Sequence, residues 1–522
     1  MGVWAYYFFA KLLLTARGYL APDLPLTLAF AAFTILPARR RAARALQAIV
    51  AVPLAIALMY HDSWLPPVGR IGAQADQLAA FTLPYLAELA ARFVNPHLVA
   101  ELAALGALLW LLSRKLRIST FAVLGILASP WIAQLAATAA APPAEAAVAS
   151  AAPATNANAA APVTQDTLNT ALDQFRASAP SQRVAFPAQA AGEPYDVLLL
   201  HVCSLSWDDL DAVGLKQHPF LKRMNLNFTR YNTAASYSGP AAIRLLRSAC
   251  GQPAHADLYQ PADNSCLLMD QLQSAGFERH LELNHNGVFG DFLAKDVRIR
   301  GGLDLPLDPL PPLPAAMHAF DGSPLTDDYT TLEQWWKYRL TLKAPRVALY
   351  YNSASLHDGN HLAGAGHLSP EESYRARATA LLDGYNRFLD LVQASGRRAV
   401  VVLVPEHGAN VRGDRMQISG LREIPSPAIS LTPAGIALVG PAATAPGQAT
   451  VDKPSALIDL AQLLAGFAAS NPFAAGAPAL DEYAKGLTEV PFVSENEGTV
   501  VMQQAGRYWL RNPDKTWTEY RP

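Results

Sequence analysis

The chain has 522 residues, of which 51% are hydrophobic and 16% are charged, and its formal net charge is −2. This length indicates two or more domains, and the charged fraction lies below the roughly 25% that is typical of soluble domains. The near-neutral balance excludes an overall basic field, so we expect no nucleic-acid partner. Three cysteines leave at least one thiol outside any disulfide within the chain.

Residues 1–139 are predicted to form a membrane domain of about five transmembrane helices. Its five apolar runs lie at 3–20, 24–38, 44–60, 97–113 and 119–138. Each run is near the lower end of the ~17–25 residues that cross a bilayer. Basic loops at 38–44 and 113–117 follow the second and fourth runs, and such loops stay in the cytoplasm. The N-terminus is therefore predicted to be cytoplasmic, with everything after the fifth run outside.

Three further segments complete the predicted domain order. The stretch 78–94 is apolar but carries Glu88 and Arg92, which favours an interfacial helix over a sixth span. Residues 140–168 are rich in alanine and proline, which predicts a flexible or semi-extended linker. Residues 169–522 have the composition of a globular domain, which we expect on the external side of the membrane.

The cysteine pattern predicts one structural disulfide. Cys250 and Cys266 are sixteen residues apart. The outer side of a bacterial envelope is oxidising, which favours a disulfide between them over the alternative of two free thiols. Cys203 is then the cysteine without a disulfide partner.

The external domain is predicted to be an α/β layer fold with a mainly parallel central sheet. Uninterrupted apolar runs begin the segments 195–209, 346–361 and 397–410, with weaker strand candidates at 278–287 and 434–440. Such runs suit strands that are buried on both faces of a parallel sheet. Helical patterns lie between them, at 365–395 and 455–468. This alternation predicts helices on both faces of the sheet, joined by right-handed crossovers.

Chemically active side chains follow three of these predicted strands. Cys203 ends the first run, His357 lies just beyond the second, and Glu406 and His407 end the third. Sites in open α/β sheets form beyond the carboxyl ends of the strands, so we expect these side chains to meet. Thiolate, imidazole and carboxylate together suit zinc. Each residue alone could be an ordinary buried or solvated side chain, but their coincidence at three strand ends favours a metal site.

Ser238 lies where a loop turns into a predicted helix, in the string TAASYSGPAAIRLLRSACGQ (233–252). Serine is a favoured N-cap and proline a favoured first helical residue, so Ser238 could simply cap the helix. A helix N-terminus also favours an anion such as phosphate. A hydroxyl that completes a zinc ligand set would be acidified and become a strong nucleophile. The segment alone leaves both interpretations open, and the neighbouring ligand set favours the nucleophile.

Four strings resemble a known family: CSLSWDDL, ASYSGPAAIRLLRSACGQ, SLHDGNH and PEHGANVRGDRMQISGLREIPSP. They are similar to hallmarks of the cellulose phosphoethanolamine transferases of bacterial cellulose operons, the BcsG family of the alkaline phosphatase superfamily. Other envelope phosphoethanolamine transferases carry an acidic ligand, a threonine nucleophile and an Asp-His pair. This chain has Cys203, Ser238 and Glu406-His407 at those points. The resemblance covers nearly the whole chain and implies an alkaline-phosphatase/sulfatase-like fold for the external domain.

The resemblance also implies an activity and a location. The expected reaction is a zinc-dependent transfer of phosphoethanolamine from phosphatidylethanolamine to glucosyl hydroxyls of cellulose, through a covalent phosphoserine-type intermediate, during biofilm matrix production. The expected location is the bacterial inner membrane, with the C-terminal domain in the periplasm. Zinc would be held by Cys203, Glu406, His407 and the oxygen of Ser238, which is the expected nucleophile.

Further residues receive roles from the same hypothesis. His357 is expected to protonate the leaving oxygen and then to take the proton from a glucose hydroxyl. Tyr237 is expected to contact a phosphoryl oxygen or the ethanolamine, and Arg422 is expected to bind phosphate with its planar guanidinium. A structural salt bridge is the alternative for Arg422. Weaker candidates for ammonium or acceptor contacts are His361, His285 and Glu423.

Two other functions are compatible with the same residues. One is a phosphodiesterase or sulfatase-type hydrolase that uses water as acceptor. The other is a degenerate scaffold whose membrane helices recruit partners to a cellulose synthase complex. An anchored transferase could also contact the synthase, so cellulose synthase subunits are a further candidate partner beside the lipid donor, the cellulose acceptor and the membrane. Residues 500–522 are predicted to be a small β-hairpin at the domain edge.

Overall fold

The fold is given by a computed structural model that describes residues 3–37, 40–63, 81–92, 96–139, 163–364, 366, 368–442 and 447–521. Residues 140–162, most of the predicted linker, lie outside the described residues. The described part comprises an N-terminal helical region and a C-terminal α/β domain.

The N-terminal region is helical where the structure describes it. Its helices are α1 (Trp4–Ala16), α2 (Leu24–Ile35), α3 (Arg41–His61), α4 (Leu83–Arg92), α5 (Pro96–Ser113) and α6 (Ile118–Ala139). All except α4 coincide with the five predicted apolar runs. By length and composition alone, α3 and α5 could cross a membrane, while α2 and the stretch Ile118–Ile132 are shorter apolar helices. The number of spans and their orientation therefore stay predictions.

A buried charge within α1 shows how these helices contact each other. The ammonium of Lys11, which is 3% exposed, forms an ion pair of 2.5 Å with Asp62 at the end of α3. It also donates a 2.7 Å hydrogen bond to Thr27 of α2. A charged group buried among apolar helices requires such partners. Around it, apolar side chains such as Phe8 and Phe30 form the common core of the bundle.

The strands of the C-terminal domain are β1 (Asp196–Val202), β2 (Leu226–Phe228), β3 (Tyr231–Asn232), β4 (Glu278–Leu283), β5 (Ala315–His318), β6 (Pro324–Thr326), β7 (Val347–Ser353), β8 (His361–Leu362), β9 (Ala399–Pro405), β10 (Leu431–Thr432), β11 (Gly435–Val439), β12 (Ala449–Val451), β13 (Ser455–Ala456), β14 (Val493–Asn496), β15 (Thr499–Gln504), β16 (Arg507–Arg511) and β17 (Trp517–Glu519). Seven of them form the central sheet, in the order β12-β2-β11-β9-β1-β7-β4. The pairs β4–β7, β7–β1, β1–β9 and β2–β12 are parallel, and β11 is antiparallel to both of its neighbours. The predicted mainly parallel sheet is confirmed.

The helices of this domain are α7 (Gln165–Ser178), α8 (Trp207–Ala212), α9 (Pro219–Lys222), α10 (Ser238–Leu246), α11 (Leu268–Ser274), α12 (Asp328–Thr341), α13 (Pro370–Ala394), α14 (Pro427–Ser430), α15 (Leu457–Ala469) and α16 (Leu480–Lys485). They bury the two faces of the sheet in separate cores. Leu198 and Leu200 of β1 pack with Trp335 of α12 and residues of α13. Leu199 points to the opposite face and packs with α10, α11 and α15. Burial on both faces explains why these strands are continuous apolar runs.

Two boundaries differ from the sequence predictions. The C-terminal domain begins at α7, so its first helix starts at Gln165 and not at residue 169. Thr164 and Thr167 form a capping box there, and Leu168 packs against Trp517 in β17. The predicted hairpin at 500–522 is part of a four-stranded antiparallel sheet, β14-β15-β16-β17. The helix α7 therefore covers this small sheet.

The structure joins Cys250 and Cys266 by a disulfide and leaves Cys203 as a free, buried thiol. The bridge links the segment after α10 to the start of α11. The disulfide therefore restrains the chain just after the C-terminal end of α10.

Candidate active site and metal centre

Neighbouring strands bring the predicted ligands to one edge of the sheet. Val202 at the end of β1 pairs with Pro405 at the end of β9, so Cys203 and Glu406 leave the sheet side by side. The backbone N–H of Glu406 donates to the carbonyl of Val202 at 2.8 Å. The N–H of Cys203 donates to Ser353 of β7 at 2.9 Å. The end of β1 is thus bonded to both β9 and β7, and this pairing fixes the position of Cys203.

Three side chains converge beyond these strand ends. The potential ligand atoms of Cys203, Glu406 and His407 all lie within 4.8 Å of one another, and all three residues are buried. Ser238 completes the group, because its Oγ lies 3.4 Å from Cys203 Sγ and 3.5 Å from His407 Nε2. The structure thus brings together the four residues expected to hold zinc.

Ser238 is the first residue of α10, and Tyr237 occupies the N-cap position. The interpretation of Ser238 as a helix cap is therefore wrong, although the helix does begin there. The hydroxyl of Ser238 faces Cys203 and His407. The side chain is partly exposed and lines a cavity of about 510 Å³. The Ser238 hydroxyl is therefore open to the cavity, and a nucleophile needs such an opening to reach its substrate.

The loop after β9 holds His407 in one orientation. The Nδ1–H of His407 donates to the carbonyl of Gly408 at 2.8 Å, which leaves the lone pair of Nε2 directed at the cluster. Asp209 in α8 accepts hydrogen bonds from the N–H groups of Ala409 and Val411. A Cβ at Gly408 would lie 2.6 Å from Ser206 Oγ and 2.7 Å from Asp209 Oδ2. Only glycine fits at this close approach, which explains the Glu-His-Gly sequence.

Asn352 holds the carboxylate of Glu406, and the sequence analysis missed this residue. Its Nδ2 donates to Glu406 Oε1 at 2.6 Å, and its Oδ1 accepts from His285 Nε2 at 2.9 Å. The sequence does contain a feature that points to Asn352, because its amide interrupts the buried apolar run of β7. The other carboxylate oxygen, Glu406 Oε2, is buried without a hydrogen-bond partner among the described residues and lies 3.7 Å from His407 Nε2.

Replacing Asn352 with leucine is expected to weaken zinc binding by about 10–100-fold, because the ligand carboxylate loses the hydrogen bond that orients it. Zinc affinity would be measured by competition with a chelating dye. Asn284→Leu is the matched control, since Asn284 is also buried at a strand end but bonds Ser355 and not a ligand. Equal zinc affinity in the Asn352 variant and the wild type would contradict this role.

The ionisation of the cluster is governed by burial. Burial, and then the negative charge of Glu406, raise the pKa of the Cys203 thiol to about 12. Burial also raises the pKa of Glu406, against the opposing effects of the neighbouring Ser238 hydroxyl and of the hydrogen bond from Asn352. For His407, burial and then the positive charge of Arg422 lower the pKa well below its usual value. The cluster therefore disfavours its own negative charge and holds a neutral imidazole.

These features fit a divalent zinc ion. The orphaned Glu406 Oε2 and the Nε2 lone pair of His407 face a common point, together with Cys203 Sγ. A coordinating thiol is deprotonated outright, so a cation there would reverse the effect of burial on Cys203. One thiolate, one imidazole and one carboxylate are ordinary zinc ligands. A fourth position would fall to the Ser238 oxygen or to a substrate.

Arg422 and Tyr237 form one side of the cavity. Arg422 donates to Ser204 Oγ at 3.1 Å, and its guanidinium carbon lies 5.4 Å from the centre of the Tyr237 ring. None of the ion pairs between described residues includes Arg422, so the structure does not place it in a salt bridge. The hydroxyl of Tyr237 donates to Glu423 at 2.6 Å. A buried guanidinium beside Tyr237 in this cavity is suited to a phosphoryl oxygen.

His357 lines the same cavity. Its Nδ1–H donates to the carbonyl of Asp358 at 2.8 Å, and its ring stacks on Phe320 with 4.2 Å between the ring centres. Burial, and then the positive charge of Arg422, lower the pKa of His357 to about 3. The imidazole is therefore neutral, and its Nε2 can exchange a proton within the cavity.

His361 is not in the cavity, contrary to the prediction for substrate binding. It is exposed in β8 and pairs with His318 of β5. Between His357 and His361 the chain turns at Gly359, where φ is +77°, and Asn360 donates to the carbonyl of Ala354 at 2.7 Å. This turn directs His361 away from the site. We do not retain His361 as a substrate ligand.

Part of the cavity wall is polar and is not marked by any motif in the sequence. Asp296 and Arg300 form an ion pair of 2.5 Å, and the guanidinium of Arg300 lies 4.7 Å from the ring centre of Tyr259. The weaker candidates His285 and Glu423 also line the cavity. Tyr259, Asp296 and Arg300 come from segments far from the strand-end motifs, so sequence spacing could not group them with the site.

Comparison with known proteins identifies the family. Residues 4–131 match the model for the N-terminal domain of the cellulose biosynthesis protein BcsG, and residues 152–517 match the model for its C-terminal domain. The BcsG protein of Salmonella typhimurium is 37% identical over 539 residues, covering 99% of this chain and 96% of that protein. The Escherichia coli protein is 38% identical over 538 residues, with the same coverage.

Solved structures with a similar C-terminal domain were also found. One is an alkaline phosphatase superfamily protein from Vibrio parahaemolyticus, with a TM-score of 0.47 and 13% identity, covering 67% of this chain and 87% of that one. Another is the periplasmic domain of EptC from Escherichia coli in complex with zinc, with a TM-score of 0.39 and 16% identity, covering 54% and 86%. On the family models and the full-length relatives, the chain belongs to the BcsG family of cellulose biosynthesis proteins.

Proposed function

We propose that this chain, a phosphoethanolamine transferase of the BcsG family, uses Ser238 to move phosphoethanolamine from phosphatidylethanolamine to a glucosyl hydroxyl of cellulose. One observation carries the proposal. The Ser238 hydroxyl, at the N-terminus of a nine-residue helix, lies within 3.5 Å of both Cys203 and His407. When bound by Cys203, Glu406 and His407, zinc would neutralise phosphoryl charge and lower the pKa of the serine hydroxyl.

The first half-reaction forms a phosphoserine-type diester. Ser238 Oγ bonds to phosphorus while the bond from phosphorus to the glycerol oxygen breaks, and diacylglycerol leaves. The serine proton is lost to solvent as the pKa of the hydroxyl falls, and His357 on the cavity wall is the group assigned to pass a proton from solvent to the glycerol oxygen. The free N–H groups at the start of α10 and the guanidinium of Arg422 stabilise charge on the non-bridging oxygens.

The second half-reaction regenerates the enzyme. A glucosyl hydroxyl bonds to phosphorus and the bond to Ser238 Oγ breaks. The proton of that hydroxyl passes to His357, whose neutral imidazole offers a lone pair, and ends on the serine oxygen. The polar wall of Tyr259, Asp296 and Arg300 offers hydrogen-bond groups for a sugar acceptor. At the end of the cycle the Ser238 hydroxyl is restored and His357 is again neutral.

The proposed location follows from the donor. A lipid donor sits in the bilayer, and the apolar N-terminal helices would hold the C-terminal domain beside that surface, on the periplasmic face of the inner membrane. The two full-length relatives align with 99% of this chain over 96% of their own length, so the match spans both regions. Cellulose made at the same membrane, during biofilm matrix production, would then pass within reach of the site, and contact with cellulose synthase subunits is part of this proposal.

Chelation of the metal is expected to abolish transfer, and added zinc to restore it. The full chain would be placed in bilayers of phosphatidylethanolamine with cello-oligosaccharides, and the products would be separated by mass. Oligosaccharide carrying phosphoethanolamine supports the proposal. Free phosphoethanolamine without modified sugar would favour the hydrolase. A protein that holds no stoichiometric zinc and forms neither product would favour the scaffold.

A further inference from the structure

We infer that α4, the short helix between α3 and α5, positions His357 for proton transfer, so that the membrane domain takes part in the reaction. The sequence predicted this segment as an interfacial helix, but the structure packs it against the C-terminal domain at the loop that carries His357. The inference rests on the role of His357 in the proposed function. It adds residues of α4, which are far from the strand-end motifs in the sequence, to those that determine the rate of phosphoethanolamine transfer.

An ion pair joins α4 to the residue after His357. Arg92 donates to both carboxylate oxygens of Asp358, from Nη1 at 2.7 Å and from Nη2 at 2.9 Å. The Arg92 side chain is 10% exposed and that of Asp358 is 16% exposed. Bidentate arginine–carboxylate contacts fix geometry more strongly than single surface pairs. Burial raises the pKa of Asp358, but the hydrogen bonds and positive charge of Arg92, together with the hydrogen bond from Tyr85, hold that pKa below its usual value.

A tyrosine of α4 makes a second contact with the same carboxylate. The hydroxyl of Tyr85 donates to Asp358 Oδ2 at 2.9 Å, and Tyr85 is 5% exposed. Its ring lies so close to Gly359 that a Cβ there would overlap it. Two side chains of α4 therefore hold the Asp358-Gly359 turn from the side away from the cluster.

This turn determines the orientation of the imidazole. The carbonyl of Asp358 accepts the Nδ1–H of His357, so movement of Asp358 rotates the ring. The ring also stacks on Phe320, whose carbonyl accepts a 3.1 Å hydrogen bond from the N–H of Thr82 just before α4. Phe81 packs edge-on against Phe320 at 5.3 Å. Both the backbone partner and the stacking partner of His357 are thus held by residues 81–92.

The C-terminal domain alone holds the loop only in part. Arg377 donates to the carbonyls of Ser355 and His357, which fixes the backbone but not the imidazole plane. Losing the contact with α4 should therefore misalign His357 without unfolding the loop. We expect the defect to appear where the leaving oxygen needs a proton, and not in the attack by Ser238.

The test compares two soluble donors on the full chain. Dihexanoyl phosphatidylethanolamine has an alkoxide leaving group that needs a proton, whereas the 4-nitrophenyl ester of phosphoethanolamine loses a stable phenolate without one. For Arg92→Ala, the kcat with the lipid donor is expected to fall by about 10–100-fold, the usual range for a misplaced general acid. The kcat with the nitrophenyl ester should change by less than about threefold. Arg92→Lys, which keeps one charged contact, should lie between the variant and the wild type.

A matched control lies within the membrane domain. Arg17 pairs with both oxygens of Glu101, so Arg17→Ala also removes an arginine–carboxylate pair but leaves α4 intact, and both donors should react at the wild-type rate. Equal losses on both donors in Arg92→Ala would overturn the inference in favour of a structural role. An unchanged rate with the lipid donor would overturn it as well. A wild-type chain that transfers from neither donor would instead contradict the proposed function.

Discussion

Replacing Ser238 with alanine is expected to lower phosphoethanolamine transfer by about 10³-fold or more, because the covalent route loses its nucleophile. Zinc content should stay close to that of the wild type. Cys203, Glu406 and His407 remain in place, and they lie within 4.8 Å of one another without any contribution from the serine. A variant that keeps its zinc but loses activity would distinguish the role of Ser238 as nucleophile from the roles of the three zinc ligands.

Ser236→Ala is the matched control for this prediction. Ser236 belongs to the same loop and is 1% exposed, but it is absent from the described cavity lining, and its hydroxyl has no hydrogen-bond partner among the described residues. Its removal should leave the rate within a few fold of the wild type. Transfer would be measured as diacylglycerol release from phosphatidylethanolamine bilayers. Full activity in Ser238→Ala would require another nucleophile or direct transfer between donor and acceptor.

Replacing Cys203 with serine is expected to remove stoichiometric zinc and to lower transfer by about 100-fold or more. The thiolate is a ligand that zinc favours, and a hydroxyl at this buried position is far harder to ionise. Loss of a direct ligand should exceed the 10–100-fold cost of losing a residue that only orients one. Zinc would be measured by elemental analysis of the purified chain.

The double variant Cys250→Ser, Cys266→Ser provides the comparison. These cysteines form the disulfide and lie outside the ligand cluster. Their loss should reduce the free energy of unfolding by about 2–4 kcal/mol, while zinc stays bound. If Cys203→Ser kept its zinc and its activity, the thiol would be only a buried packing residue and the scaffold interpretation would gain support.

The sequence predicted the sheet and the ligand cluster because both depend on local patterns. Strands buried on two faces are continuous apolar runs, and a polar residue that ends such a run is easily seen. Cys203, Glu406 and His407 were found in this way, and the parallel pairing of β1 with β9 brings them together. The helix start at Ser238 was also local, although its role as a cap was left open until Tyr237 was seen in that position.

The remainder of the site depends on contacts that no local pattern reveals. Arg92 and Asp358 are 266 residues apart, and their pairing appears only when α4 is placed against the C-terminal domain. His361 lies four residues after His357, but the turn at Gly359 directs the two side chains to different surfaces. The interfacial prediction for residues 78–94 considered composition alone, so it could not anticipate a partner in another domain.

The most direct test of the account is the intact mass of the full chain after brief incubation with phosphatidylethanolamine, zinc and no acceptor. The account predicts a phosphoethanolamine adduct that maps to Ser238, requires zinc and disappears when cello-oligosaccharide is added. A chain that holds stoichiometric zinc and releases diacylglycerol, but never carries an adduct on Ser238, would contradict the covalent mechanism.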